Sequence, residues 1–113
     1  MRKTDKKIDN AIRGALTEVC EAAIGNFEGF KWLTHVVDYN CFPKSLLVVC
    51  VFETNDQLSS FLRNKKDTEV FDLIKFHLKD IPLNIKDISK HVDFDTEENC
   101  TNKNNGNWRE RLH

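Results

Sequence analysis

The chain predicts an α+β fold, a three-stranded sheet with helices packed against it. Two observations predict it. The apolar runs 30–37 and 46–52 follow one another across a short connection that contains Pro43. Amphipathic helical patterns precede and follow that pair. At 113 residues the chain is one domain. Such a domain buries roughly 65% of the surface its unfolded chain exposes. No internal repeat and no second domain is visible.

The first helix is predicted over residues 5–24. Ile8, Ala11, Ile12, Ala15, Leu16, Val19 and Ala23 recur at three- and four-residue steps, one stripe of a 3.6-residue period. Gly25-Asn26 supplies the stop. Its charges run against the helix dipole, with Lys3, Lys6 and Lys7 at the start and Glu18 and Glu21 near the end. Each such charge typically costs about 0.3–1 kcal/mol, so packing of the apolar stripe must hold this helix.

A strand over 30–39, a loop over 40–44 and a strand over 45–53 read as an antiparallel hairpin. The second strand is apolar on both faces, with Leu46, Val48, Cys50 and Phe52 on one and Leu47, Val49 and Val51 on the other. A strand with one wet face would alternate. Both faces are therefore expected to be covered, by helices or by a partner molecule.

Thr54-Asn55-Asp56 is a cap cluster opening a short helix that carries Leu58, Phe61 and Leu62. The turn Arg63-Asn64-Lys65-Lys66 follows, and Asp67-Thr68 reads as the cap of a second helix. That helix carries Val70, Leu73, Ile74 and Leu78 on one face, with Pro82 past its end. A third strand is expected over 88–95, where Val92 and Phe94 alternate with His91, Asp93 and Asp95. Asp95-Thr96-Glu97-Glu98 then resembles a helix start, with carboxylates in the favourable first turn. The expected order is α-β-β-α-α-β with a short C-terminal helix. One domain spans 1–100 and a polar tail spans 101–113, where Trp108 and Leu112 either pack back or stay loose.

Composition narrows the function classes. With 40% hydrophobic and 31% charged residues and a net charge of −1, the chain is no general trap for nucleic acid, although a local basic patch is left open. No run approaches the ~18–20 apolar residues that span a bilayer. The basic start has no apolar stretch behind it, which argues against a secretory signal and for the cytoplasm. Cys20, Cys41, Cys50 and Cys100 show no Cys-x-x-Cys spacing, so reduced structural thiols are expected, Cys50 among them as a buried small hydrophobe.

Candidate chemistry is sparse. Cys41 with His35 is a conceivable nucleophile–base pair, and His35, Asp38 and Cys41 a conceivable ligand set. Neither repeats a known spacing. Asp93, Asp95, Glu97 and Glu98 could bind a hard cation, but the EF-hand spacing is absent and strand-end and helix-start roles explain them. His77 reads as a packed boundary residue and His91 as solvent-facing. The four glycines, Gly14, Gly25, Gly29 and Gly106, build neither a P-loop nor a dinucleotide turn. No serine sits in a nucleophile elbow. No catalytic residue, cofactor or metal ligand is therefore assigned.

Nucleic acid is the alternative. The element order is similar to the bacterial form of the KH domain, and Arg63-Asn64-Lys65-Lys66 falls where that family places its backbone-clamping loop. That loop is normally Gly-x-x-Gly, and neither glycine is present here. Arg2, Lys3, Lys6, Lys7, Arg63, Lys65 and Lys66 are the candidate nucleic-acid residues, provided the two clusters share a face. A helix-turn-helix over 55–80 is disfavoured, since its second helix exposes Glu69, Asp72 and Asp80 against Lys75 and Lys79.

The opening 1–11, with 16–21, 32–35, 48–52 and 94–98, resembles a small uncharacterised bacterial family of about this length. Its members often carry the label of Fis-type transcriptional regulators. A Fis-like protein is an all-helical dimer ending in a basic helix-turn-helix, an architecture without room for two strong strands. The resemblance implies no catalytic or ligand residue. The function expected is a non-enzymatic interaction or regulatory module that binds protein partners or self-associates.

Overall fold

A computed structural model describes residues 2–112; Met1 and His113 lie outside it. The elements are α1 (Lys3–Asn26), β1 (Phe30–Val36), β2 (Leu47–Phe52), α2 (Asn55–Arg63), α3 (Asp67–Leu78), β3 (Val92–Thr96), α4 (Glu97–Asn104) and α5 (Trp108–Leu112). Short 3₁₀ turns at Tyr39–Cys41 and Ile88–His91 precede β2 and β3. The fold is α+β in the expected order. No helix of the described residues is long and apolar enough to cross a membrane.

α1 buries Ile12, Leu16, Val19 and Ala23, the stripe its period implies, and Asp9 with them. The helix closes when the Phe27 amide donates to the Ala23 carbonyl at 2.9 Å. The chain then reverses through Gly29, at φ +84°, where a Cβ would strike the Gln57 side chain. Gln57 is held in place because it completes a capping box with Thr54 at the start of α2. Gly29 therefore joins two elements that are distant in sequence.

The sheet runs β1-β2-β3. β1 and β2 are antiparallel, with Leu33 opposite Cys50, Thr34 opposite Val49 and His35 opposite Val48. Both strands are shorter than expected because the connection closes on itself. The Asp38 amide donates to Ser45 Oγ at 2.9 Å, and that hydroxyl donates back to the Asp38 carbonyl at 2.7 Å. β3 pairs with β2 in parallel, Cys50 opposite Phe94 and Val51 opposite Asp95. A parallel neighbour needs a long crossover, and α2 with α3 supply it. The third strand covers 92–96 rather than 88–95, because Asp87 caps a 3₁₀ turn by accepting from the Ser89 amide. His91, expected to face solvent, lies at the end of that turn and donates through Nδ1 to the Leu46 carbonyl at 2.7 Å.

Alternation along the strands separates two faces. On one, Val48, Cys50 and Phe52 join Ile12, Phe61, Val70 and Ile74 in the main core under α1, α2 and α3. Phe52 touches Phe30 and Phe61 with ring centroids 5.4 and 4.7 Å apart. On the other face Val49 is 3% exposed and Val51 fully buried. Their cover comes from the C-terminal segment. Residues 101–112 are not a loose tail: Trp108 packs edge to face on Trp32, and Arg111 grips Asp95 through Nε and one terminal nitrogen at 2.6 and 3.0 Å. β2 is thus covered on both faces by its own chain from Val48 to Phe52, with Leu47 at its start half-buried.

α3 starts without the Asp67-Thr68 cap that the sequence suggests. Its N-cap is Lys66, which makes no side-chain cap bond. Lys65 before it turns left-handed at φ +56°. Thr68 Oγ donates to the Lys65 carbonyl at 2.9 Å, fastening the turn from inside the helix.

Candidate interaction surface at the edge of the sheet

A three-stranded open sheet leaves two edges, here β1 and β3. Unpaired strand edges template further strands unless charge, proline, a bulge or a covering element blunts them. β3 is blunted by its own sequence. Asp93 and Asp95 accept from the backbone amides of Phe94 and Thr96, both at 2.9 Å, and Arg111 docks onto Asp95. β1 is guarded only at its start, by Lys31 and by the irregularity between Phe30 and Trp32. From Trp32 to Val36 the ladder is regular, and the sequence Trp-Leu-Thr-His-Val contains neither Pro nor a Lys, Arg, Asp or Glu.

A groove of about 700 Å³ runs along this edge, between α1 and β1, with Leu112 at its rim. Leu16 and Leu33 give it an apolar floor, while Asp9, Arg13, His35 and Tyr39 form a polar cluster within it. Asp9 Oδ1 accepts from His35 Nε2 at 2.8 Å and from the Tyr39 hydroxyl at 2.7 Å, and Arg13 Nε lies 3.2 Å from Oδ2. Burial alone would raise the Asp9 pKa. The hydrogen bonds from His35 and Tyr39, with the charges of His35 and Arg13, outweigh burial and hold the carboxyl below its ordinary value. Tyr39 moves the other way: burial, then its bond to Asp9 and that charge, push its hydroxyl far above the usual phenol value.

Chemically the cluster is a clamp. Asp9 Oδ1 accepts both hydrogen bonds and Oδ2 is ion-paired with Arg13, and the carboxylate ties the first half of α1 to the last residues of β1 and the turn after it. All four side chains line the groove. Asp9 and Tyr39 escaped sequence reasoning. The available signal was positional, since Asp9 shares the helical stripe of Ile12 and Leu16, where a carboxylate needs partners.

The other candidate residues land apart from this groove or in structural roles. His35 is engaged by Asp9, while Cys41 is exposed in the 3₁₀ turn. Asp95 holds Arg111, Glu97 accepts from Trp32 and Trp108, and Glu98 accepts from the Asn55 amide at 2.9 Å. Asp93 accepts from the Phe94 amide. Among the described residues no group of three or more His, Cys, Asp or Glu side chains could hold a metal ion. His77 donates to Glu18 at 3.0 Å on the α1–α3 seam.

The basic clusters sit at opposite ends of α1. Arg2, Lys3, Lys6 and Lys7 occupy its start. The turn Arg63-Asn64-Lys65-Lys66 neighbours its end, Lys66 lining the same recess as Asn26. Between Lys7 and Asn26 lie roughly 28 Å of helix, at 1.5 Å per residue. Arg2 is engaged by Asp5 at 3.1 Å and Lys66 by Glu69 at 3.4 Å. No family model, no curated protein and no solved structure matches the chain.

Proposed function

We propose that the protein is a non-enzymatic, cytoplasmic interaction or regulatory module that binds protein by adding an extended segment to the outer edge of β1. The observation that carries this reading is the contrast between the two edges: β3 is blunted by Asp93, Asp95 and Arg111, and β1 is left plain beside a groove. Strand addition supplies affinity through main-chain hydrogen bonds and specificity through pockets for alternate side chains. The groove between α1 and β1 offers such pockets. The faces of β2 no longer argue for a partner, since the chain covers both; the argument rests on β1. The test is capture of protein from native lysate by the wild type and by Thr34→Lys, which places an edge lysine in the middle of the regular ladder. Loss of the same bands in the variant supports the reading. Equal capture by both defeats it.

A second reading, nucleic-acid binding through the turn between α2 and α3, is favoured by one observation. Lys65 adopts a left-handed backbone between Asn64 and Lys66, presenting a basic turn at the joint of a helix pair. Retention on single-stranded RNA at low salt, lost in Lys65→Ala/Lys66→Ala and falling steeply with added salt, would support it. The same retention by wild type and variant, or none, removes it.

A further inference from the structure

We infer that the segment received at β1 is β1 of a second copy of this chain, paired antiparallel about a two-fold axis at Thr34; this rests on the reading of that edge as a strand-addition site. The regular part of the ladder is Trp32–Val36, because the irregularity between Phe30 and Trp32 ends it on one side and Val36 ends the strand on the other. Thr34 is the centre of that stretch. A two-fold axis there sets Thr34 opposite its own copy, Leu33 opposite His35 and Trp32 opposite Val36.

Two of these three pairs are favoured types and the third, Leu33 with His35, brings no like charges together. Directly opposed residues share a face, and the pairing respects the faces already present. Trp32 and Thr34 lie on the side of Val51 and Val49, and Leu33 and His35 on the side of Cys50 and Val48. Trp32 with Val36 is an aromatic–β-branched pair and Thr34 with Thr34 a hydroxyl pair, both favourable across strands. No like charges meet, because the stretch holds no Lys, Arg, Asp or Glu and His35 is engaged by Asp9. Shifting the axis by one residue toward Lys31 brings the ladder into the irregular start of the strand. Shifting it one residue the other way opposes His35 with His35. The symmetric closure consumes the exposed edge and yields a six-stranded sheet, the isologous arrangement by which most small proteins pair.

The experiment measures molar mass by light scattering from micromolar to millimolar protein. The expected result is a rise from the 13.2 kDa of one chain toward twice that value, with Thr34→Lys remaining at the single-chain mass and keeping the wild-type circular dichroism. A second variant guards against misfolding. Thr34→Cys, made together with Cys41→Ser to remove the exposed thiol, should form a reversible intermolecular disulfide that peptide mapping locates at 34–34. A single-chain mass throughout overturns self-pairing. So does a dimer that survives Thr34→Lys, or a dimer in which position 34 does not cross-link under oxidation. A single-chain mass with lysate capture lost in Thr34→Lys leaves strand addition standing with another protein as partner, and a single-chain mass with capture indifferent to Thr34→Lys defeats both readings.

Discussion

Trp32 and Trp108 meet edge to face with ring centroids 4.8 Å apart, and both indole N–H groups donate to one oxygen of Glu97, at 2.7 and 3.1 Å. The first Trp is on an edge strand, the second on a five-residue helix, and the carboxylate between them opens α4. One side chain thus fastens β1, α4 and α5 together over the second face of the sheet. α5 alone is too short to persist in water, so its order derives from these contacts and from the grip of Arg111 on Asp95. Replacing Glu97 by Ala strands both donors and should cost about 1–3 kcal/mol. Glu97→Gln keeps an acceptor and should cost less than half as much. The midpoint of urea unfolding at unchanged slope measures both.

Acid should undermine the fold through two carboxylates. Burial would raise the Asp95 pKa, but hydrogen bonds from Arg111, the Thr96 amide and Asn99, with the Arg111 charge, bring it below its ordinary value near 3.8. Asp9 is held down likewise by His35, Tyr39 and Arg13. A carboxyl that binds its proton less tightly when folded contributes stability that is fully present above the unfolded pKa. That contribution is lost as pH falls through the lower, folded value. Unfolding midpoints should therefore drop as pH goes below about 4. The drop should be shallower in Asp95→Asn and shallower still in Asp9→Asn/Asp95→Asn, each lower in stability at neutral pH. An acid limb of the same steepness in the double variant would show that other groups control it.

Gly29 offers a sharper test of packing between distant segments. A methyl group there meets two penalties, a left-handed φ of +84° and the Gln57 side chain in the capping box of α2. Gly29→Ala should destabilise by about 2 kcal/mol, combining backbone strain with a weakened cap. Gly14, with open space around its would-be Cβ in the middle of α1, is the control. Gly14→Ala should stabilise by roughly 0.5–1 kcal/mol through helix propensity. Opposite signs in one denaturation series are the expected result.

Those contrasts indicate what the sequence reveals and what it hides. The stripe of α1 and the double apolarity of β2 are local periodicities, and both describe the structure. The Thr54 and Thr96 caps are local too, and each accepts from the amide three residues on. Three features were hidden because they depend on contacts across the chain. The parallel pairing of Val51 with Asp95 joins residues 44 positions apart. α5 has too few residues for a period to register, so Trp108 and Leu112 could only be read as loose or docked. Asp9 falls in the apolar stripe of α1, but the partners that satisfy its carboxylate, His35 and Tyr39, arrive only from β1 and the turn after it. The candidate edge is intermediate in this respect: the strand is evident from composition, but its place at the border of the sheet follows only from the order β1-β2-β3.

The four thiols report the relative stability of these layers. Cys41 is exposed and Cys20 half-buried, whereas Cys50 and Cys100 have no accessible surface. Burial first, and then the nearby Cys20 and Asp93, push the Cys50 thiol up to about 12, so it carries no thiolate at neutral pH in the folded chain. Labelling by a thiol reagent followed by mass spectrometry should mark Cys41 at once and Cys20 more slowly. Cys50, in the central strand, should label only through global unfolding, while Cys100 on α4 should also react through local opening of the C-terminal layer. Arg111→Met, which removes the grip on Asp95 while keeping an unbranched stem, should therefore speed Cys100 more than Cys50. If the variant accelerates both thiols by the same factor, α4 and α5 open only together with the sheet, and the two layers form one cooperative unit.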